Sequence, residues 1–181
     1  MTDKKHKTPI GILQDIEQRS RSMAHGLPQQ AAKKTEWIGI GFRLGDQRMV
    51  VPLDEVTEIL TSFSMSRVPG AKSWVLGIAN VRGNLLPIMD LAGYLRGERS
   101  HVRNISRVLV VEHEDINAGL LVDEVLGLRH FPEDSRLQNM AETDISVSPY
   151  LDRAYRIDEE EWPVFSLYKL ARSPLFMQVA V

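Results

Sequence analysis

The sequence predicts a mainly β fold, built as one barrel or a pair of barrels. Three observations carry this. From Trp37 onward apolar residues recur with a period of two, the spacing of strands with distinct faces. Short runs of this kind follow one another along the chain, separated by turns containing Gly, Asn or Asp. The runs are also joined too closely for the helical crossovers of a doubly wound parallel sheet.

Residues 1–34 differ from the rest. Lys4, Lys5, Lys7, Arg19, Arg21, Lys33 and Lys34 stand against Asp3, Asp15 and Glu17, so seven cations and three carboxylates leave +4. The whole chain of 181 residues carries −2, so the body is left at −6. Thr8-Pro9 suits a helix start, since Thr caps free N–H groups and Pro is tolerated at the first helical position. Ile12, Leu13, Ile16 and Met23 would form an amphipathic stripe, and His25-Gly26-Leu27-Pro28 would end it. That stripe either packs on the body or docks on a partner. Residues 29–34 read as a linker. The expected division is therefore an extension over 1–34 and a β domain over 35–181.

In the body, Ile38, Ile40, Phe42 and Leu44 share one strand face, and Gly45-Asp46 turns the chain into Met49, Val51 and Leu53. Residues 54–60 form a turn or a short strand. Val75–Arg82 and Leu85–Met89 form a second hairpin, with Gly83-Asn84 as the expected turn. A short helix is expected near Asp90–Leu95, then a polar loop to Asn104. Ser106–Glu112 and Ala118–Val122 make a third hairpin around Asp115-Ile116-Asn117, followed by a strand over Val125–Phe131. Residues 139–149 are turn-rich. Tyr155–Ile157 and Val164–Leu167 are further strands, and a helix is expected within Tyr168–Phe176.

Composition narrows the chemistry. A hydrophobic content of 43% fills a real core. No cysteine is present, which excludes disulfides, thiolate metal sites and a cysteine nucleophile, and fits a reducing compartment. The N-terminal residues lack an apolar signal-peptide run, and no stretch approaches the roughly 20 apolar residues of a membrane span. A soluble, cytoplasmic protein is expected. The five histidines (His6, His25, His101, His113, His130) show no HExxH spacing, and Glu112-His113-Glu114-Asp115 reads as a solvated hairpin end rather than a metal site. There is no GxSxG elbow and no phosphate-cradling glycine loop. No metal or cofactor is expected. Asp90, Asp123 and Glu124 sit at strand ends, where they either cap backbone or form an acid–base set. A nucleic-acid-binding barrel would need a basic face, against which the acidic body argues.

The informative residues are Val56-Thr57-Glu58-Ile59 and, further on, Gly77-Ile78-Ala79-Asn80-Val81-Arg82-Gly83-Asn84-Leu85-Leu86-Pro87-Ile88-Met89-Asp90-Leu91. Phe42-Arg43-Leu44-Gly45, Pro69 and Gly119-Leu120-Leu121-Val122-Asp123-Glu124-Val125 accompany them in order. From about residue 37 to 171 the chain thus resembles the CheW-like family of non-enzymatic adaptors. The resemblance implies two small five-stranded barrels sharing a core. It also implies two partners: the regulatory domain of a CheA-type histidine kinase and the cytoplasmic tip of a chemoreceptor. The tip would dock in a groove between the barrels, lined by Val56, Glu58 and Ile59 with Asn80 and Arg82 nearby. The kinase would bind near Gly77, and Gly83 with Asn84 would shape the turn. A free family member is expected to be monomeric and recruited to membrane-associated receptor arrays. From the residues alone, Val56 and Ile59 read as core and Glu58–Arg82 as an exposed pair worth under about 1 kcal/mol; the resemblance turns that reading toward an interface. The basic extension and apolar tail resemble the adaptors of type IV pilus (twitching motility) systems, with a flagellar chemotaxis adaptor as the alternative.

Overall fold

Strand β1 (Glu36–Leu44) organises the first of two sheets. The structure, a computed structural model, describes residues 10, 13, 16–19, 36–114, 116–139 and 144–178. The chain divides into two units, 1–34 and 35–181. In the first, the described residues are helical, with Ile10, Leu13 and Ile16 exposed. The expected cap at Thr8-Pro9, Ile12, Met23 and the stop at 25–28 lie outside the described residues.

In the second unit β1 is followed by β2 (Gln47–Pro52), β3 (Glu58–Leu60), β4 (Met65–Ser66), β5 (Val75–Val81), β6 (Asn84–Asp90), β7 (Arg107–His113), β8 (Ile116–Val122), β9 (Glu124–Pro132), β10 (Leu151–Ile157) and β11 (Glu160–Phe165). One sheet has the order β10-β11-β2-β1-β9 and the other β3-β7-β8-β6-β5-β4. Each contains one parallel neighbour pair, β11 with β2 and β6 with β8. The first sheet has the expected five strands. The second has six, because Met65 and Ser66 bond along β5 opposite Ala79 and Ile78.

The central strands of both sheets bury both faces. Along β7, Val108 and Val110 fill the interior of the six-stranded sheet with Leu60, Leu76, Leu86, Ile88 and Leu121. Leu109 and Val111, one residue out of phase, join a second core with Ile40, Phe42, Met49, Val51, Leu120 and Phe165. This second core takes residues from both sheets and fuses the two subdomains. Strand β1 behaves likewise: Ile40, Phe42 and Leu44 face the shared core, while Trp37 packs into a third cluster of Val50, Phe131, Tyr155, Trp162 and Val164. Burial on both faces is why Val108-Leu109-Val110-Val111 is an unbroken apolar run. It also explains the smallest residue at position 39: a Cβ there would lie 2.5 Å from Val50 Cγ2 and 2.7 Å from the Val51 carbonyl oxygen.

Two local readings shift, and a third holds. The β5–β6 turn is Arg82-Gly83, not Gly83-Asn84: Asn84 pairs with Val81 as the first residue of β6, and Arg82 and Gly83 both have positive φ, +52° and +90°. A two-residue turn with two left-handed positions matches the strand twist better than one displaced by a residue. The expected C-terminal helix is two short ones, α2 (Leu167–Ala171) and α3 (Pro174–Met177), since Pro174 has no N–H to continue the first. The helix near Asp90 is α1 (Leu91–Arg96), capped by the Asp90 carboxylate accepting from the Gly93 N–H and closed by left-handed Gly97.

The apolar tail returns to the body through α3. Phe176 stacks on Trp74 at 5.7 Å between ring centres and meets Tyr94 edge-on at 5.2 Å. The Tyr94 hydroxyl lies 3.0 Å from that of Tyr150 and 3.1 Å from Ser173 Oγ, and burial pushes its pKa up to about 12.

Phe165 is fully buried where the two sheets meet, edge-on to Phe42 at 6.2 Å. Phe165→Ala is expected to cost about 3–5 kcal/mol, read as a lowered midpoint of one cooperative denaturant transition. Two separated transitions would show that the subdomains do not share a core.

Candidate protein-interaction site

The segment between β2 and β3 carries two carboxylates with opposite fates. A 3-10 turn over Leu53–Glu55 swings Glu55 inward, where only 7% of the residue is exposed. Its Oε1 accepts from the Ser166 hydroxyl at 2.9 Å, and its Oε2 accepts from the Leu167 and Tyr168 N–H groups at 2.5 and 3.2 Å. It thereby satisfies free amides at the start of α2. Burial raises its pKa above the usual 4.5, opposed by these hydrogen bonds. Nothing in the local pattern marked Glu55, because its partners lie over 110 positions away.

Glu58, three residues on, points outward. Strand β3 pairs with β7, placing Glu58 opposite Val110, and the Thr57 N–H donates to the Val110 carbonyl at 2.9 Å. Arg82, from the β5–β6 turn, donates from Nη2 to Glu58 Oε1 at 2.8 Å. The Arg82 side chain is 79% exposed and that of Glu58 30%, so the guanidinium keeps most of its donors in solvent. The pair overlooks a groove of about 170 Å³ lined by Thr57, Glu58, Val81, Arg82, Asn84 and Glu112 among others. Its apolar floor is Val81, Leu86 and Val110.

The structure thus brings Glu58, Arg82 and Asn84 together in one groove, which Val56, Ile59 and Asn80 do not line. All the groove's walls belong to the six-stranded sheet, its β5–β6 turn and the residue leading into β3, so it does not run between the subdomains. Val56 and Ile59 do not line it; they are half-buried and pack against the shared core, because the turn at Leu53–Glu55 and the pairing of β3 aim them inward. Asn80 pairs with Leu85 and belongs to the opposite hairpin face from Val81 and Asn84. Thr57, Glu112 and Asn117 enter the groove unforeseen. Only the Glu112↔Asn117 pairing was within reach of the sequence, through the hairpin that joins them.

Gly77 lies on β5 at an irregularity in its pairing with β6. A Cβ there would fall 2.4 Å from the Ser66 carbonyl oxygen, so its bareness lets β4 pack on β5. The chain after β4 then rims a second groove, of about 240 Å³, lined by Val68, Pro69, Ala71, Val75, Ile78, Pro87 and Met89 with Gly70.

The carboxylates considered for chemistry are engaged in structural bonds. Asp90 is fully buried and accepts from Gly93 N–H, Ser100 N–H and Ser100 Oγ–H. Asp123 accepts from Gly45 N–H at 2.6 Å, and Glu124 accepts from Arg43 Nε at 3.2 Å. The end of the β7–β8 hairpin docks on α2 rather than standing free in solvent: His113 stacks on Tyr168 at 3.9 Å and Glu114 pairs with Arg172 at 3.0 Å. Among the described residues no group of three His, Cys, Asp or Glu is placed to hold a metal ion, and no helix is long and apolar enough to cross a membrane.

Residues 39–174 match the CheW-like domain family, and the chain belongs to it. It is 46% identical to protein PilI of Pseudomonas aeruginosa over 97% of this chain and 98% of that one. It is 30% identical to the chemotaxis protein CheW of Helicobacter pylori over 62% of this chain and 68% of the relative. The crystal structure of the scaffolding protein TtCheW from Thermoanaerobacter tengcongensis superposes with a TM-score of 0.65, covering 77% of this chain and 95% of that one at 21% identity, a likeness of fold.

Glu55→Ala is expected to cost about 2–4 kcal/mol by stranding the donors around it, and Glu55→Gln much less. Because the folded-state pKa is raised, the folded protein binds the proton more tightly than the unfolded chain. The contribution of Glu55 is therefore largest at low pH and falls as pH rises through the interval above 4.5. The stability of wild type relative to Glu55→Gln should fall over that interval; a flat difference in denaturant titrations would contradict the assignment.

Proposed function

We propose that this chain is a non-enzymatic adaptor that couples the cytoplasmic tip of a chemoreceptor to the regulatory domain of a CheA-type histidine kinase in a type IV pilus chemosensory system. Family membership and the 46% identity to PilI across nearly the whole chain support the pathway. The observation that carries the adaptor reading is the pair of grooves on the six-stranded sheet. One is polar and centred on Glu58–Arg82; the other is apolar and centred on Val68–Met89; they share no lining residue. Across β5–β6 the polar groove takes Val81, Asn84 and Leu86, and the apolar groove takes Ile78 and Pro87 from the alternate face. An adaptor needs two surfaces that are occupied together, and the pleat of one hairpin separates them.

The receptor tip is assigned to the polar groove. Arg82 offers exposed donors to a carboxylate, Glu58 fixes its direction, and Val81 with Val110 adds an apolar centre. Val56 and Ile59 support this site from behind, through the core. The kinase domain is assigned to the apolar groove, whose rim Gly77 sets. The protein works in the cytoplasm, recruited to receptor arrays, and is monomeric when free.

Binding is tested by titrating purified protein with a receptor-tip fragment and, separately, with the regulatory domain of a pilus-system CheA-type kinase. Arg82→Ala should weaken the tip at least about ten-fold while leaving the kinase domain and the melting temperature nearly unchanged. Val68→Glu, at a residue 40% exposed, should do the reverse. Equal loss of both partners in either variant would refute two separate surfaces.

A further inference from the structure

Arg82 occupies a backbone conformation that suits Gly or Asn and strains most L-residues, φ +52°. Gly83 follows at +90°, and the turn closes on the Val81↔Asn84 pair. Turns of this kind favour Asn, Asp or Gly at the first position, so an arginine there needs support. The support visible in the structure is Asn80, whose Oδ1 accepts from the Gly83 N–H at 2.9 Å. Asn80 itself cannot line the Glu58–Arg82 groove, because it stands on the opposite face of the hairpin, across from Leu85.

Building on the receptor-tip reading of that groove, we infer that Asn80 is a positioning residue: it holds the Arg82-Gly83 turn, and through it the Arg82 guanidinium, in place for the partner without touching the partner. Three consequences separate this from direct contact. Only the acceptor oxygen of Asn80 is used, so Asn80→Asp retains the function and Asn80→Ala loses it. The effect of Asn80 passes through Arg82, so it vanishes where Arg82 is already gone. The arginine is kept at a strained position for binding rather than folding, so Arg82→Asn raises the melting temperature while removing affinity.

The test is a double-mutant cycle on the full chain, with receptor-tip binding by calorimetry and Gly83 amide exchange by NMR. Asn80→Ala is expected to weaken tip binding about five-fold in the native background, the scale of one lost hydrogen bond, and less than two-fold beside Arg82→Ala. It should also speed Gly83 exchange, which Asn80→Asp should leave slow. Equal losses in both backgrounds, or an Asn80→Asp variant as weak as Asn80→Ala, would overturn the inference in favour of direct contact. If wild type does not bind the tip, the receptor reading fails instead. The exchange measurement then still decides the role of Asn80: unchanged Gly83 exchange in Asn80→Ala means that the turn does not depend on it.

Discussion

Everything in the body depends on the core that the two sheets share. Phe42 and Phe165 meet there edge-to-face at 6.2 Å, surrounded by Met49, Val51, Leu109, Val111 and Leu120. A small sheet with one wet face buries too little apolar surface to offset the entropy of ordering its strands. Here each sheet closes over its own interior and lends its remaining faces to the shared core. Strands β1, β7 and β8 therefore bury alternate residues in different clusters, and at these positions polar side chains have almost no place.

Three buried or half-buried carboxylates are tied to backbone. Glu55 satisfies the first amides of α2, Asp90 satisfies α1 and the loop at Ser100, and Asp123 receives the Gly45 amide. Glu55 and Asp123 join segments far apart in sequence, and all three carboxylates bond main chain at a helix start or turn where the sheet ladder has stopped. Of the carboxylates that could have suggested catalysis, Asp90 and Asp123 thus hold backbone and Glu124 holds the Arg43 guanidinium. Glu58–Arg82 is a charged pair left accessible in a groove, with one member on β3, the other in the β5–β6 turn, and a cation that remains mostly in solvent. Desolvating such a pair against a partner gives direction as well as affinity, since a guanidinium held on one side by Glu58 can offer its other donors only outward.

The relation between the two grooves follows from the pleat. Residues 78 and 87 face one side of the β5–β6 hairpin, and residues 81, 84 and 86 face the other. A single stiff hairpin therefore presents an apolar surface and a polar one that cannot interfere sterically. Rigidity matters at both: Gly77 keeps β4 seated, and Gly83 closes the turn that carries Arg82.

Much of this was legible in the chain. The period-two runs located most strands within a few residues, Asp90 announced its helix, and the ordered motifs from Phe42 to Val125 pointed to the CheW-like family. Position along the chain also sufficed to single out Glu58 and Arg82, because their motif surrounds them. What the sequence by itself could not determine was direction. Val56 and Ile59 read as core from the residues alone and as interface from the family resemblance, and the pairing of β3 with β7 turns them to the shared core. The turn shifted by one residue because Arg82 accepts a left-handed backbone that its type disfavours. Glu55, Glu112 and Asn117 gained their roles from partners brought near by strand order and helix docking. Local pattern determines which residues alternate; which face meets core, groove or solvent is decided by long-range pairing, whose energy comes from burying both sides of each sheet at once.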